Sequence, residues 1–141
     1  MEVAYALKPM VAGQLGDRTE LDATTHPPTV SAVEYVLDGP DADDLIESFP
    51  VFLVSDDLAA RLSEEGFVGF EFADADIVPS LEYRETYGDA PHKVYRWLRV
   101  SGDSSTDCWL SDDHRLCVSD RMMSRLQQGD LTNCEIEALD S

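Results

Sequence analysis

Positive charge is scarce in this chain. Across 141 residues, ten Lys and Arg side chains face 29 Asp and Glu, leaving a formal charge of −19 at neutral pH and a pI near 4.1. Lys8 and Lys93 are its only lysines. No cluster of basic residues offsets the acidic field, so a nucleic-acid backbone and an anionic membrane surface are excluded as docking partners: the chain's own potential opposes their approach. A partner steered by charge must be basic. Long apolar runs are also missing, none approaching the roughly 20 residues that span a bilayer. The opening Met1-Glu2-Val3-Ala4-Tyr5 has no basic region leading into an apolar one, which predicts a cytoplasmic protein without a secretory leader. Cysteine is sparse and odd in number. Cys108, Cys117 and Cys134 cannot all pair within one chain, so reduced thiols are the expectation. Glycines are scattered singly and none opens a Gly-Lys-Ser/Thr motif, which excludes a phosphate-cradling loop.

What is present is enough to build a core. With 43% hydrophobic and 9% aromatic residues, the chain is predicted to fold as one domain, burying roughly 70% of its unfolded surface. The pattern predicts strands over Val3 to Leu7, Val33 to Leu37 and the short apolar run Val51 to Val54, with Thr24 to Pro28 a proline-fixed loop and Asp41 to Ile46 an acidic loop or helical turn. An internal echo follows. Val54-Ser55-Asp56 recurs as Val118-Ser119-Asp120, and at the same offset of 64 Arg61 matches Arg125 and Leu62 matches Leu126. Each copy reads strand, capped helix, glycine (Gly66 or Gly129), strand. The serine oxygens Ser55 and Ser119 are structural N-caps, the aspartates suit the first turn, and the glycines allow a left-handed exit. The returning strands are predicted over Gly69 to Phe72 and Cys134 to Leu139. Between the copies, Val94 to Val100 alternates as a strand, and Cys108 to Leu110 pairs with Leu116 to Val118 in a hairpin with an acidic tip. The expected fold is α+β: a single domain, 1–141, with a mixed and largely antiparallel sheet and two or three short helices. An N-terminal strand and loop (1–45) precede a core of two similar units (46–139).

Catalytic constellations are weak. Cys108, His114, Cys117 and Cys134 are ligand types that zinc accepts, but no Cys-x-x-Cys pair is present and Cys117 lies in an apolar strand, so no metal and no cofactor are expected. The thiols sit among aspartates, which raise a thiol pKa, and His26, His92 and His114 lie in loops, so the chain is not expected to be an enzyme. The acidic runs, among them Asp41-Ala42-Asp43-Asp44, lack the glycine and the spacing of a calcium loop. Tyr, Trp and Arg crowd the middle third, and these types dominate interface hot spots. One of Trp97 and Trp109 is expected in the core. Surface chemistry selects Asp41, Asp43, Asp44, Tyr87, Trp109, Asp112 and Asp113 as partner-binding residues.

Five segments carry a resemblance: Phe52-Leu53-Val54-Ser55, Gly66-Phe67-Val68-Gly69-Phe70, Tyr83 to Tyr87, Tyr95-Arg96-Trp97-Leu98 and Cys117-Val118-Ser119. From about Ile46 to Leu139 the chain resembles small bacterial immunity proteins encoded beside polymorphic toxins. The resemblance implies a non-enzymatic protein that binds and blocks a cognate toxin domain, and it fixes no contact residue. An acidic inhibitor suits a basic toxin through electrostatic steering. The alternatives are a small metal- or thiol-dependent enzyme, and a sensor or structural domain of a salt-adapted organism, in which acidity serves solvation.

Overall fold

The computed structural model describes residues 3–25 and 28–139. The predicted loop Thr24 to Pro28 lies partly outside them, as does His26. In chain order the elements are β1 (Ala4–Lys8), β2 (Gly13–Leu15), β3 (Glu20–Asp22), β4 (Thr29–Ala32), β5 (Glu34–Leu37), β6 (Leu45–Ser48), β7 (Val51–Ser55), α1 (Asp56–Ser63), β8 (Phe70–Ala73), β9 (Asp76–Pro79), α2 (Leu81–Tyr87), β10 (Tyr95–Val100), β11 (Cys108–Leu110), β12 (Leu116–Ser119), α3 (Asp120–Leu126) and β13 (Glu135–Leu139). The α+β class holds, with three short helices among the described residues. The strands do not form one sheet: two four-stranded sheets are joined by a three-stranded and a two-stranded one, and β5 with β9 is the parallel pair.

The echo in the sequence is a repeat in three dimensions. One four-stranded sheet has the order β6-β7-β10-β8 and the other β11-β12-β1-β13. In each, a hairpin leads into a capped helix, and the strand after the helix runs parallel to the second hairpin strand with an antiparallel strand between them. Register keeps the offset of 64. Leu98 lies between Phe52 and Phe72 as Leu7 lies between Leu116 and Ile136, and both flanking pairs are 64 residues apart. Even the cross-strand ion pairs correspond, Arg99–Glu71 at 3.3 Å and Lys8–Glu135 at 4.0 Å. The helices bury matching positions: Leu58, Ala59 and Leu62 on α1, and Met122, Met123 and Leu126 on α3. The difference is connectivity, because the inserted strand is β10 in the first unit and the N-terminal β1 in the second.

That corrects the expected boundary at 45. Residues before it are not a strand and loop preceding the core, since β1 is an interior strand of the second unit and β2 to β5 build other sheets. The stretch expected as an acidic loop also changes at its end: Leu45 and Ile46 are fully buried and begin β6, because their side chains fill the cores on opposite faces of the sheet. Likewise, Gly66 has φ +68° and supplies the left-handed exit, whereas Gly129 has no positive φ. A Cβ on Gly129 would stand 2.9 Å from Asp44 Oδ2 and from Leu58 Cδ2, so glycine is needed there for close approach.

Two cores share the β7–β10 sheet. On one face Phe52, Val54 and Leu98 pack with α1, α3 and the Leu7, Leu116 and Val118 side of the second sheet. On the other, Leu53, Tyr95 and Trp97 pack with Tyr35 and Leu37 of β5 and Tyr83 of α2. A strand covered on both sides needs apolar residues at every position, which is why β7 reads Val-Phe-Leu-Val without alternation and is buried throughout.

Candidate functional site

The hairpin turns of the two units meet. The β6–β7 turn carries Phe49 and Pro50; the β11–β12 turn runs from Ser111 to Arg115, and the Phe49 and His114 rings lie 6.1 Å apart. Where they meet, a groove of about 200 Å³ opens. It is lined by Pro28 and Val30 at β4, by Phe49, Pro50 and Phe52 at the first turn and β7, and by Leu110 and His114 at the second. Trp97, Leu98, Arg99 and Val100 on β10 complete its lining. Phe49 is 51% exposed, although the strands on either side of it are covered.

The polar groups at this groove are held in place. Arg99 stacks on Trp97 with its guanidinium carbon 4.9 Å from the ring centroid and pairs with Glu71, so its charge is locally offset. At the second turn, Ser111 N donates to Arg115 O at 2.9 Å, and Ser111 Oγ accepts from Arg115 N at 3.0 Å and donates to Asp113 Oδ1. That hydroxyl is the main reason the Asp113 carboxyl lies below the ordinary carboxylate range. His114 sits in the left-handed region at φ 64°, where histidine is tolerated better than most side chains. Asp112 and Asp113 are exposed on the same tip.

The residues selected from the sequence do not converge. Asp112 and Asp113 lie on the turn whose His114 meets Phe49 after the end of β6, while Asp41, Asp43 and Asp44 precede the start of that strand. Asp43 is corrected outright as a contact residue. It is 1% exposed, and its carboxylate accepts from Asn133 N at 2.7 Å and Asn133 Nδ2 at 3.0 Å. Asp44 is half-buried, accepting from Asp130 N at 2.6 Å and pairing with Lys93 at 3.5 Å. Both carboxylates tie β6 to the loop before β13. Asp41 is exposed. Tyr87 is 46% exposed and meets Tyr83 edge-on at 5.7 Å between ring centroids. Trp109 is half-buried on β11 and belongs to neither core, whereas Trp97 is the core tryptophan. Sequence reasoning missed Phe49, Pro50, Pro28 and Val30. The available signal was an aromatic beside proline, Phe49-Pro50, directly before the buried strand.

The thiols are placed for packing. Cys108 is fully buried, and burial, reinforced by Cys117 and Asp107, pushes its pKa up to about 12. Burial likewise raises Cys117, and takes Cys134 to about 11. A thiol so raised is almost wholly protonated near neutral pH and is a poor nucleophile. Three buried phenols are also spent on backbone: Tyr35 donates to Glu47 O at 3.0 Å, Tyr95 to Asp43 O at 2.8 Å, and Tyr83 to Ala90 O. Among the described residues, no three His, Cys, Asp or Glu side chains are grouped to hold a metal ion, and no helix is long and apolar enough to cross a membrane. No family model, curated protein or solved structure matches this chain.

Proposed function

We propose that the protein is a non-enzymatic binding protein of the immunity type, acting in the cytoplasm to neutralise a basic toxin domain by direct contact. The observation that carries this reading is the groove between the hairpin tips: lined mainly by apolar side chains, among them the half-exposed Phe49, with Asp112 and Asp113 exposed on the turn that carries His114. Its volume of about 200 Å³ is below the roughly 300–1,000 Å³ of small-molecule sites, so it suits a side chain of another protein better than a metabolite. The net charge of −19 supplies long-range attraction for a cationic partner, accelerating capture in a salt-dependent way.

The protein encoded beside this one is the probe. A complex measured by titration calorimetry, protection of cells co-expressing the two, and an association rate that falls by about tenfold or more from low to high salt are the expected results. No complex and no protection would overturn the reading.

A further inference from the structure

We propose that the groove is an anchor pocket for one large apolar side chain, aromatic or leucine, carried on a partner segment whose flanking residues are Lys or Arg. This rests on the reading of the chain as a partner-binding protein and names what its contact site takes. Three observations carry it. Most of the side chains that line the groove are apolar, Arg99 and His114 being the exceptions, and its volume is of the order of a single bulky side chain, which points to an inserted anchor. Phe49 lines it with a half-exposed ring beside that of His114, and offers an apolar surface to an inserted group. The charge beside it is negative: Asp112 and Asp113 are exposed on the turn that carries His114, while Glu71 pairs with Arg99, the guanidinium that lines the groove. A cation flanking the anchor therefore meets carboxylates, whereas an acidic neighbour would be repelled.

The site is also pre-organised. Besides Pro28, Val30 and the Phe49-Pro50 turn, its parts come from β7, which is buried throughout, from the central strand β10, and from a turn braced by Ser111, so much of the site is set before a partner arrives. The two turns that form it belong to corresponding hairpins of the two units, and the repeat itself brings them together.

The test uses the whole chain and a nine-residue synthetic peptide with a central tryptophan flanked by lysines and arginines. Two control peptides replace tryptophan by serine, or the basic residues by glutamates. Amide chemical shifts are expected to move at Phe49, Leu110 and His114, with affinity at least fivefold weaker for either control. Phe49→Ala, at a half-exposed position whose loss should leave the melting temperature nearly unchanged, is expected to weaken the tryptophan peptide at least fivefold. Asp112→Asn with Asp113→Asn is expected to reduce the salt dependence while leaving the serine control weak. Shifts confined to other surfaces, or equal affinity for all three peptides, would overturn the pocket. The protein encoded beside this chain separates the two ideas. If it binds wild type and Phe49→Ala equally, the pocket falls and the immunity reading stands; if it binds neither while the peptide fills the groove, the immunity reading falls alone.

Discussion

Ser55 and Ser119 do the same work with different support. Ser55 Oγ accepts from Leu58 N at 3.4 Å; Ser119 Oγ accepts from Met122 N at 3.2 Å and donates to Asp107 Oδ1 at 2.8 Å. Asp107 in turn accepts from Val68 N at 3.0 Å, so the second cap links α3 to the loop before β8. Changing either serine to alanine should cost about 1 kcal/mol, with Ser119→Ala the costlier, as read from urea unfolding midpoints. Glu47 gives a pH-dependent counterpart. Burial raises its carboxyl pKa against a smaller opposing pull from Lys8, so the folded chain holds the neutral acid more readily than the unfolded chain. Ionisation then costs stability above the raised value, and that cost disappears as pH falls below the unfolded value. Glu47→Gln should raise the melting temperature near pH 7 and leave it unchanged below about pH 4. A gain equal at both pH values would remove the ionisation argument.

Short elements were legible wherever chemistry is local. The Ser-Asp starts, the continuous apolar β7 and the β11–β12 hairpin all follow from neighbours in sequence. The alternation along β13 also marks a real strand, although Ile136 remains 41% exposed. What stayed illegible was distant pairing. Nothing near Ala4 announces that β1 belongs between β12 and β13, and nothing near Leu45 shows that its strand closes both cores. Asp43 was misjudged for the same reason: a carboxylate in an acidic run reads as solvated unless Asn133, 90 positions away, is known to cap it. At this scale Gly69 is diagnostic. Its φ is +105°, and a Cβ there would meet Cys108 O at 2.4 Å and Thr106 Oγ1 at 2.5 Å, whereas Gly66, at φ +68°, has open space. Gly66→Ala should therefore cost only about 1 kcal/mol for the left-handed backbone. Gly69→Ala must also displace a carbonyl and should cost about 3 kcal/mol or more. Similar losses in thermal unfolding would mean the loop before β11 yields freely.

For the whole molecule, the repeat makes a sharper claim than resemblance between its halves. The first unit is continuous from β6 to β10, while the second takes its inserted strand from the opposite end of the chain. If that difference is one of connectivity alone, the chain should tolerate being re-cut so that both units become continuous. The strands to be joined are suitably placed: Ala4 pairs with Leu139 across the β1–β13 ladder, as the inner residues of a hairpin would. A linker of about five residues is within hairpin range. The exposed Ser104 and Ser105 lie between the first unit and β11 and give a place to open the backbone. Such a permutant keeps every strand pair and both cores, and loses only the local turn in which Ser105 N donates to Asp103 Oδ1 at 2.9 Å. It should unfold in one cooperative transition within about 1–2 kcal/mol of wild type, the loss coming from local turn bonds and altered loop closure. Folding should not slow, because β1 then reaches β12 and β13 through a short connection rather than across the chain. A permutant that expresses unfolded, or that melts in two steps with the second unit detached, would show that β1 must precede the first unit for the cores to form.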